Sequence, residues 1–157
     1  MKVEILKNKE ASAHLDSISN EVIKIYTDGS MHDGKVEAAA ILTRQGKPDH
    51  VLRLCLKTTE QHTVPEAKMV GIILGVHLIA TEKCNCKCCI IGLDSQGAIK
   101  ALRMKLTNPG QHLTAEALKI ANYLQNRTSN TNYSLTVRWT AGHVSIPGNE
   151  KADREAK

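Results

Sequence analysis

The sequence predicts a mixed α/β fold, one five-stranded sheet with helices on both faces. Two observations predict it. Between residues 22 and 57, three strand-like stretches are separated only by tight turns, the pattern of an antiparallel meander. From residue 65 onward, stretches of helical period alternate with short strand-like runs, which requires crossovers and therefore parallel strands. Together they make strands 1-3 antiparallel and strands four and five parallel to strand one, and the expected sheet order is 3-2-1-4-5.

Each element has a local reason. Residues 1–20 read as an N-terminal extension ahead of a domain at 21–157, with Val3, Ile5 and Leu6 suiting a short strand and residues 9–17 a helical turn. Strand one covers about 22–28, where Val22, Ile23, Ile25 and Tyr26 are strand formers and Asp28-Gly29 marks a turn. His32-Asp33-Gly34-Lys35 turns the chain into strand two at 36–43, and residues 44–48 turn it into strand three at 51–57. Pro65 suits a helix start. Residues 66–81 then carry Met69, Val70, Ile73, Leu74, His77 and Leu78 at three-and-four spacing. Gly71 and Gly75 sit mid-helix, where glycine is unfavourable, and predict close packing on the sheet.

Residues 88–93 form a continuous apolar run, as in a strand buried on both faces. Ser95 can cap a helix over 96–105, Asn108-Pro109-Gly110 breaks it, and another helix covers 113–126. Residues 134–139 alternate as strand five. After a glycine-containing loop at 140–148, a last helix begins at Asn149 and is still running at Lys157, as if cut from a longer chain.

The 157 residues suit one domain, and 41% hydrophobic with 24% charged residues is ordinary for a globular protein. No apolar run approaches a membrane span, and the N-terminus has no signal-peptide core, so the expectation is an intracellular monomer of cytoplasm or nucleus with no membrane partner. Aromatic residues make up 3%, which disfavours base stacking as the main binding mode. The net charge of +5 suits a polyanionic partner and equally a solvated surface. Four of the five cysteines crowd into Cys84-Asn85-Cys86-Lys87-Cys88-Cys89 with no second cluster, which supports neither a disulfide framework nor a paired zinc motif.

The carboxylates carry the functional signal. If strands one and four are parallel neighbours, Asp28 and Asp94 emerge at one sheet edge, where open α/β sheets place their sites. Glu66 opens the helix after the meander, and Asp153 lies on the last helix. Four acids converging there would repel unless cations filled the gap, and hard oxygen ligands suit Mg²⁺ or Mn²⁺. Two such metals about 4 Å apart can cleave phosphodiesters. Singly, each acid has an ordinary use as a turn residue, a helix-start charge, a cap or a solvated side chain.

Four motifs carry a resemblance: Ile25-Tyr26-Thr27-Asp28-Gly29-Ser30, Val64-Pro65-Glu66-Ala67, Leu93-Asp94-Ser95-Gln96, and residues 139–153 with Trp139, Gly142-His143 and Asp153. In this order they resemble the ribonuclease H domains of non-LTR retrotransposon polyproteins, particularly fungal ones, over about residues 22–157. The resemblance implies that Asp28, Glu66, Asp94 and Asp153 hold two Mg²⁺ ions, replaceable by Mn²⁺. Asp28 bridges the ions, Asp153 serves the water-activating side, and Glu66 and Asp94 serve the leaving-group side. It assigns His143 to proton movement and product release. The implied activity is endonucleolytic hydrolysis of the RNA strand of RNA–DNA hybrids, with a reverse transcriptase portion of the same polyprotein as partner.

Gly29, Ser30, Glu66 and Gln96 match family positions that contact the hybrid, and Lys100 and Arg103 are placed to meet phosphates. Some positions depart from the pattern. Glu37 precedes Ala38-Ala39-Ala40 where glycine is frequent, and Ala141 stands where proline is common. Residues 104–112 are short and lack tryptophan, so no basic handle is present to strengthen hybrid binding. Two alternatives stay open: a catalytically inactive domain of this fold kept for nucleic-acid binding or structure, and a DNA-cleaving relative in the same superfamily.

Overall fold

The computed structural model describes residues 1–19, 23–82, 88–103, 110–127, 134–142 and 144–157. His143, Cys84, Cys86 and the Asn108-Pro109 break lie outside the described residues. The elements are β1 (Lys2–Glu4), α1 (Lys9–Ile18), β2 (Ile23–His32), β3 (Lys35–Arg44), β4 (Lys47–Thr58), α2 (Val64–Thr81), β5 (Cys88–Leu93), α3 (Gln96–Arg103), α4 (Gln111–Arg127), β6 (Ser134–Trp139) and α5 (Pro147–Glu155).

The strands form one mixed sheet in the order β1-β6-β5-β2-β3-β4. The expected five-strand order is contained in it, with β2, β3 and β4 antiparallel and β5 and β6 parallel to β2. The sixth strand comes from Lys2–Glu4, which pairs parallel with β6 from Lys2↔Thr136 to Glu4↔Arg138. Arg138 Nε donates to Glu4 Oε2 at 2.7 Å and closes that pairing.

α1 is a full helix, started by Asn8, whose Oδ1 accepts from Ala11 N at 2.8 Å. Its buried Ser12 hydroxyl donates to Trp139 O at 3.2 Å and accepts from Ala141 N at 2.9 Å. On the same helix, Asp16 accepts from the Tyr26 hydroxyl at 2.9 Å. The N-terminal residues are thus bonded both to β2 and to the loop after β6.

β2 does not turn at Asp28-Gly29 as expected. It continues, paired with β3, to His32↔Lys35, and the chain turns at Asp33 and Gly34, both with positive φ. Continued ladder pairing outweighs the turn preference of one Asp-Gly step. β5 stops sooner, with Leu93 opposite Thr27 as its last pair with β2. Asp28 and Asp94 are the next residues on the two strands and stand level at the carboxyl end of β5.

The core is aliphatic, with Ile23, Ile25, Ile72, Val76, Ile91 and Val137 fully buried in one cluster. On the other face, Tyr26 packs with Ile41, Ile146 and Ala152, which seats α5 on β2 and β3. α2 is long and apolar enough to cross a membrane by length and composition, contrary to the expectation that no stretch is, but here it packs on β2 and β3. Its sheet-facing side also differs from the expected stripe. Met69, Val70 and Leu78 of that stripe are buried, whereas Ile73 and Leu74 are half-buried and His77 is exposed, and Gly71, Ile72, Gly75, Val76 and Ile79 are buried as well. A Cβ on Gly71 would stand 3.0 Å from Asp28 O, so this glycine lets the helix reach the sheet backbone.

Candidate functional site

The site begins with register. Parallel pairing of β2 and β5 up to Thr27↔Leu93 sets Asp28 and Asp94 side by side at the sheet's carboxyl edge. The sheet-facing side of α2 then determines what meets them. One turn back from Gly71 and Ile72, three and four residues earlier, the same face carries Lys68. Lys68 Nζ donates to Asp28 Oδ1 at 2.5 Å and to Asp94 Oδ1 at 2.8 Å. The side chains of Asp28 and Lys68 are 7% and 17% exposed, and that of Asp94 is 30% exposed.

Burial pushes the Asp28 carboxyl above its ordinary value, with the Lys68 hydrogen bond opposing it. Burial alone would lower the Lys68 ammonium, but its hydrogen bonds to the two aspartates outweigh that and hold it above the usual lysine value. The cluster is a three-membered ion pair with lysine at its centre.

The surroundings fix this arrangement. Gly29 is turned toward α2, where a Cβ would come within 2.4 Å of Ala67 C and Lys68 N, so the first turn of the helix rests directly on β2. Trp139 Nε1 donates to Asp94 O at 2.9 Å, and Thr140 N donates to Leu93 O at 2.9 Å, which tie the β5 end to the β6 end. Ser95 Oγ accepts from Ala98 N at 3.2 Å and starts α3, as its position predicts. A Cβ on Gly142 would lie 3.4 Å from Asp94 Oδ2, so the backbone at Gly142 lies against this carboxylate.

The remaining two acids make other contacts. Glu66 lies two residues before Lys68, about 200° around the helix. Its Oε2 accepts from Thr63 N at 2.7 Å and from Thr63 Oγ1 at 3.0 Å, while Thr63 Oγ1 accepts from Glu66 N at 3.4 Å. This is a capping box, and the Thr63 backbone N–H holds the Glu66 carboxyl below its ordinary value. Glu66 borders a groove of about 210 Å³ shared with Met69, Gly97, Ala98, Ala101 and Gly110. Asp153, on α5, accepts from Lys157 Nζ at 2.6 Å.

Of the residues matched to hybrid contacts, Gly29 and Ser30 lie inside β2, and the Ser30 hydroxyl donates to Ala156 O. Gln96 opens α3 and is half-buried. Lys100 and Arg103 are exposed on α3, whose buried residues are Ala98, Ile99 and Leu102.

The donor set does not fit a metal pair. Two divalent ions need several anionic oxygens turned inward. Here Asp28 and Asp94 already share an ammonium, and Glu66 is bonded to Thr63. Among the described residues, no three His, Cys, Asp or Glu side chains gather into a metal-binding group. The motif spacing led to Glu66, and Lys68 went unnoticed. The glycine positions carried the missing signal, because Gly71 and Gly75 mark the sheet-facing side of α2, and Lys68 shares it.

The chain matches the family model described as RNase H over residues 20–157. No curated protein sequence matches it significantly. Among solved structures, it is similar to the N-terminal RNase H domain of rv2228c from Mycobacterium tuberculosis, with a TM-score of 0.62 and 18% identity over 85% of this chain and 94% of that one. It is similar to LC11-RNase H1 in complex with RNA/DNA hybrid, with a TM-score of 0.61 and 18% identity over 85% and 92% of the two chains. It is also similar to RNase H1 from the halophilic archaeon Halobacterium salinarum NRC-1, with a TM-score of 0.58 and 14% identity over 85% and 92%. At these identities the structures show a shared fold. The family match covers most of the chain, and the chain belongs to the RNase H family.

Proposed function

We propose that this chain is an RNase H-type domain that engages RNA–DNA hybrid at the carboxyl edge of β2 and β5. The observation that carries this reading is the level placement of Asp28 and Asp94 at that edge in a chain matching the family over residues 20–157. One similar structure is a complex with such a hybrid. Exposed Lys100 and Arg103, with Gln96 at the start of the same helix, supply the positive and polar surface that a phosphate backbone needs. The shallow minor groove of a hybrid, lined by 2′-hydroxyls on one strand, is the feature that distinguishes it from duplex DNA.

The chemistry implied by the motifs is hydrolysis of the RNA strand with two Mg²⁺ ions held by Asp28, Glu66, Asp94 and Asp153, with His143 moving a proton. The side chains as folded do not supply that ligand set, so no hydrolytic step follows from their arrangement. Lys68 between the aspartates favours recognition of hybrid over its cleavage. The motifs also support a setting inside the cell as part of a reverse-transcribing element, where a polymerase portion would add the grip that the short 104–112 segment lacks. Fluorescence anisotropy with hybrid, duplex DNA and duplex RNA of one sequence tests the recognition. The hybrid is expected to bind tightest, and equal affinity for all three would remove the reading.

A further inference from the structure

We propose that Lys68 is the resident cation of this site. Its ammonium takes the position between Asp28 and Asp94 that a divalent metal would need, so the domain holds RNA–DNA hybrid without metal and leaves the RNA strand intact. The inference rests on the hybrid reading above for its ligand, but the role of Lys68 stands on geometry alone.

The volumes compete directly. Lys68 Nζ stands 2.5 Å and 2.8 Å from the two inner carboxylate oxygens. An Mg²⁺ ion bound to the same oxygens would sit about 2.1 Å from each, within the space of the ammonium. The charges compete as well. Two neighbouring carboxylates with one largely buried partner need a positive charge, and lysine already supplies one.

The lysine is also held in place. Ala67 and Lys68 rest against Gly29 with no room for a Cβ, and Gly71 rests on the Asp28 carbonyl. The first turn of the helix is therefore packed directly on the strand that carries Asp28. A metal between the aspartates must drive the Lys68 side chain out of a buried position, and no third carboxylate among the described residues is gathered there to compensate.

Mn²⁺ titration of the full chain, followed by calorimetry, tests this. The wild type is expected to show no stoichiometric site. Lys68→Glu turns the opposing charge into a third carboxylate and is expected to bind Mn²⁺ at least about tenfold more tightly than the wild type. Adding Asp28→Asn to Lys68→Glu should remove the gain. If Lys68→Glu does not fold, Lys68→Met removes the ammonium without adding a ligand, and Mn²⁺ should then raise its melting temperature while leaving the wild type unmoved. Wild-type Mn²⁺ binding as tight as that of either variant would overturn the proposal. Hybrid binding measured in chelator separates the two ideas. Binding lost in chelator overturns metal independence. A chain that binds no hybrid in either buffer defeats the hybrid reading, and the Mn²⁺ titration still decides the role of Lys68.

Discussion

The first turn of α2 divides two regions that use charge in opposite ways. On the sheet side, Lys68 is pressed between Asp28 and Asp94, largely out of water. On the groove side, Glu66 folds back onto Thr63 and holds the start of the helix. Two residues of separation put the side chains on opposite faces, so an acid close in sequence to the expected site is not part of the acid cluster. Placement, not residue type, decides which charge joins the site. In this fold the choice is made by which face of one helix touches one strand.

The sharpest way to break the contrast is to remove the sheet-side charge. Lys68→Met leaves Asp28 buried without its cation and should cost about 3–5 kcal/mol, the usual penalty for breaking a buried ion pair. Urea denaturation measures it, and a loss under about 1 kcal/mol would show that the pair is solvated in solution.

Gly71→Ala probes the same side through packing. The added methyl meets Asp28 O at 3.0 Å and Ala39 O at 3.4 Å, which predicts a loss of about 1–3 kcal/mol in the same experiment. An unchanged midpoint would mean that α2 rides higher on the sheet.

On the groove side the expected effect is smaller. Glu66→Gln weakens the capping box and should cost about 1 kcal/mol near neutral pH. The Glu66 carboxyl is held below its ordinary value, so its contribution is fully present above the ordinary glutamate range and is lost as pH falls through the folded value. Stability curves of wild type and variant should therefore converge in acid. A constant gap from neutral to acid would remove the ionised carboxylate from the cap.

Smallest of all, Lys100→Gln should leave stability unchanged and reduce the salt dependence of hybrid binding by about one unit of log-log slope. An unaltered slope would take α3 off the phosphate path.

Much of this was readable in the sequence. Alternation in the meander and the apolar run of β5 gave the strand order, because buried strands leave a strong composition signal. Asp28 and Asp94, each at the end of a strand-like run, were legible as neighbours at one sheet edge once strands one and four were taken as parallel neighbours. The sixth strand was less legible, since a three-residue strand depends on its partner β6 more than on its own composition.

The sheet-facing side of α2 was misread for a physical reason. Its contact residues include Gly71 and Gly75, which bury backbone and carry no apolar weight in a periodicity count, so the half-buried Ile73 and Leu74 and the exposed His77 joined the buried Met69, Val70 and Leu78 in the pattern. Glu66 stood out by its motif and its place in the first turn, and nothing in the apolar pattern marked Lys68.

If the cation of this site is the chain's own lysine, metal is dispensable for holding hybrid. The most direct test incubates the full chain with hybrid labelled on the RNA strand, once with Mg²⁺ and once with chelator, and follows both binding and product. Equal binding in the two buffers and intact RNA in both are expected. RNA cut only in the presence of Mg²⁺ would show that a metal displaces Lys68 from the site.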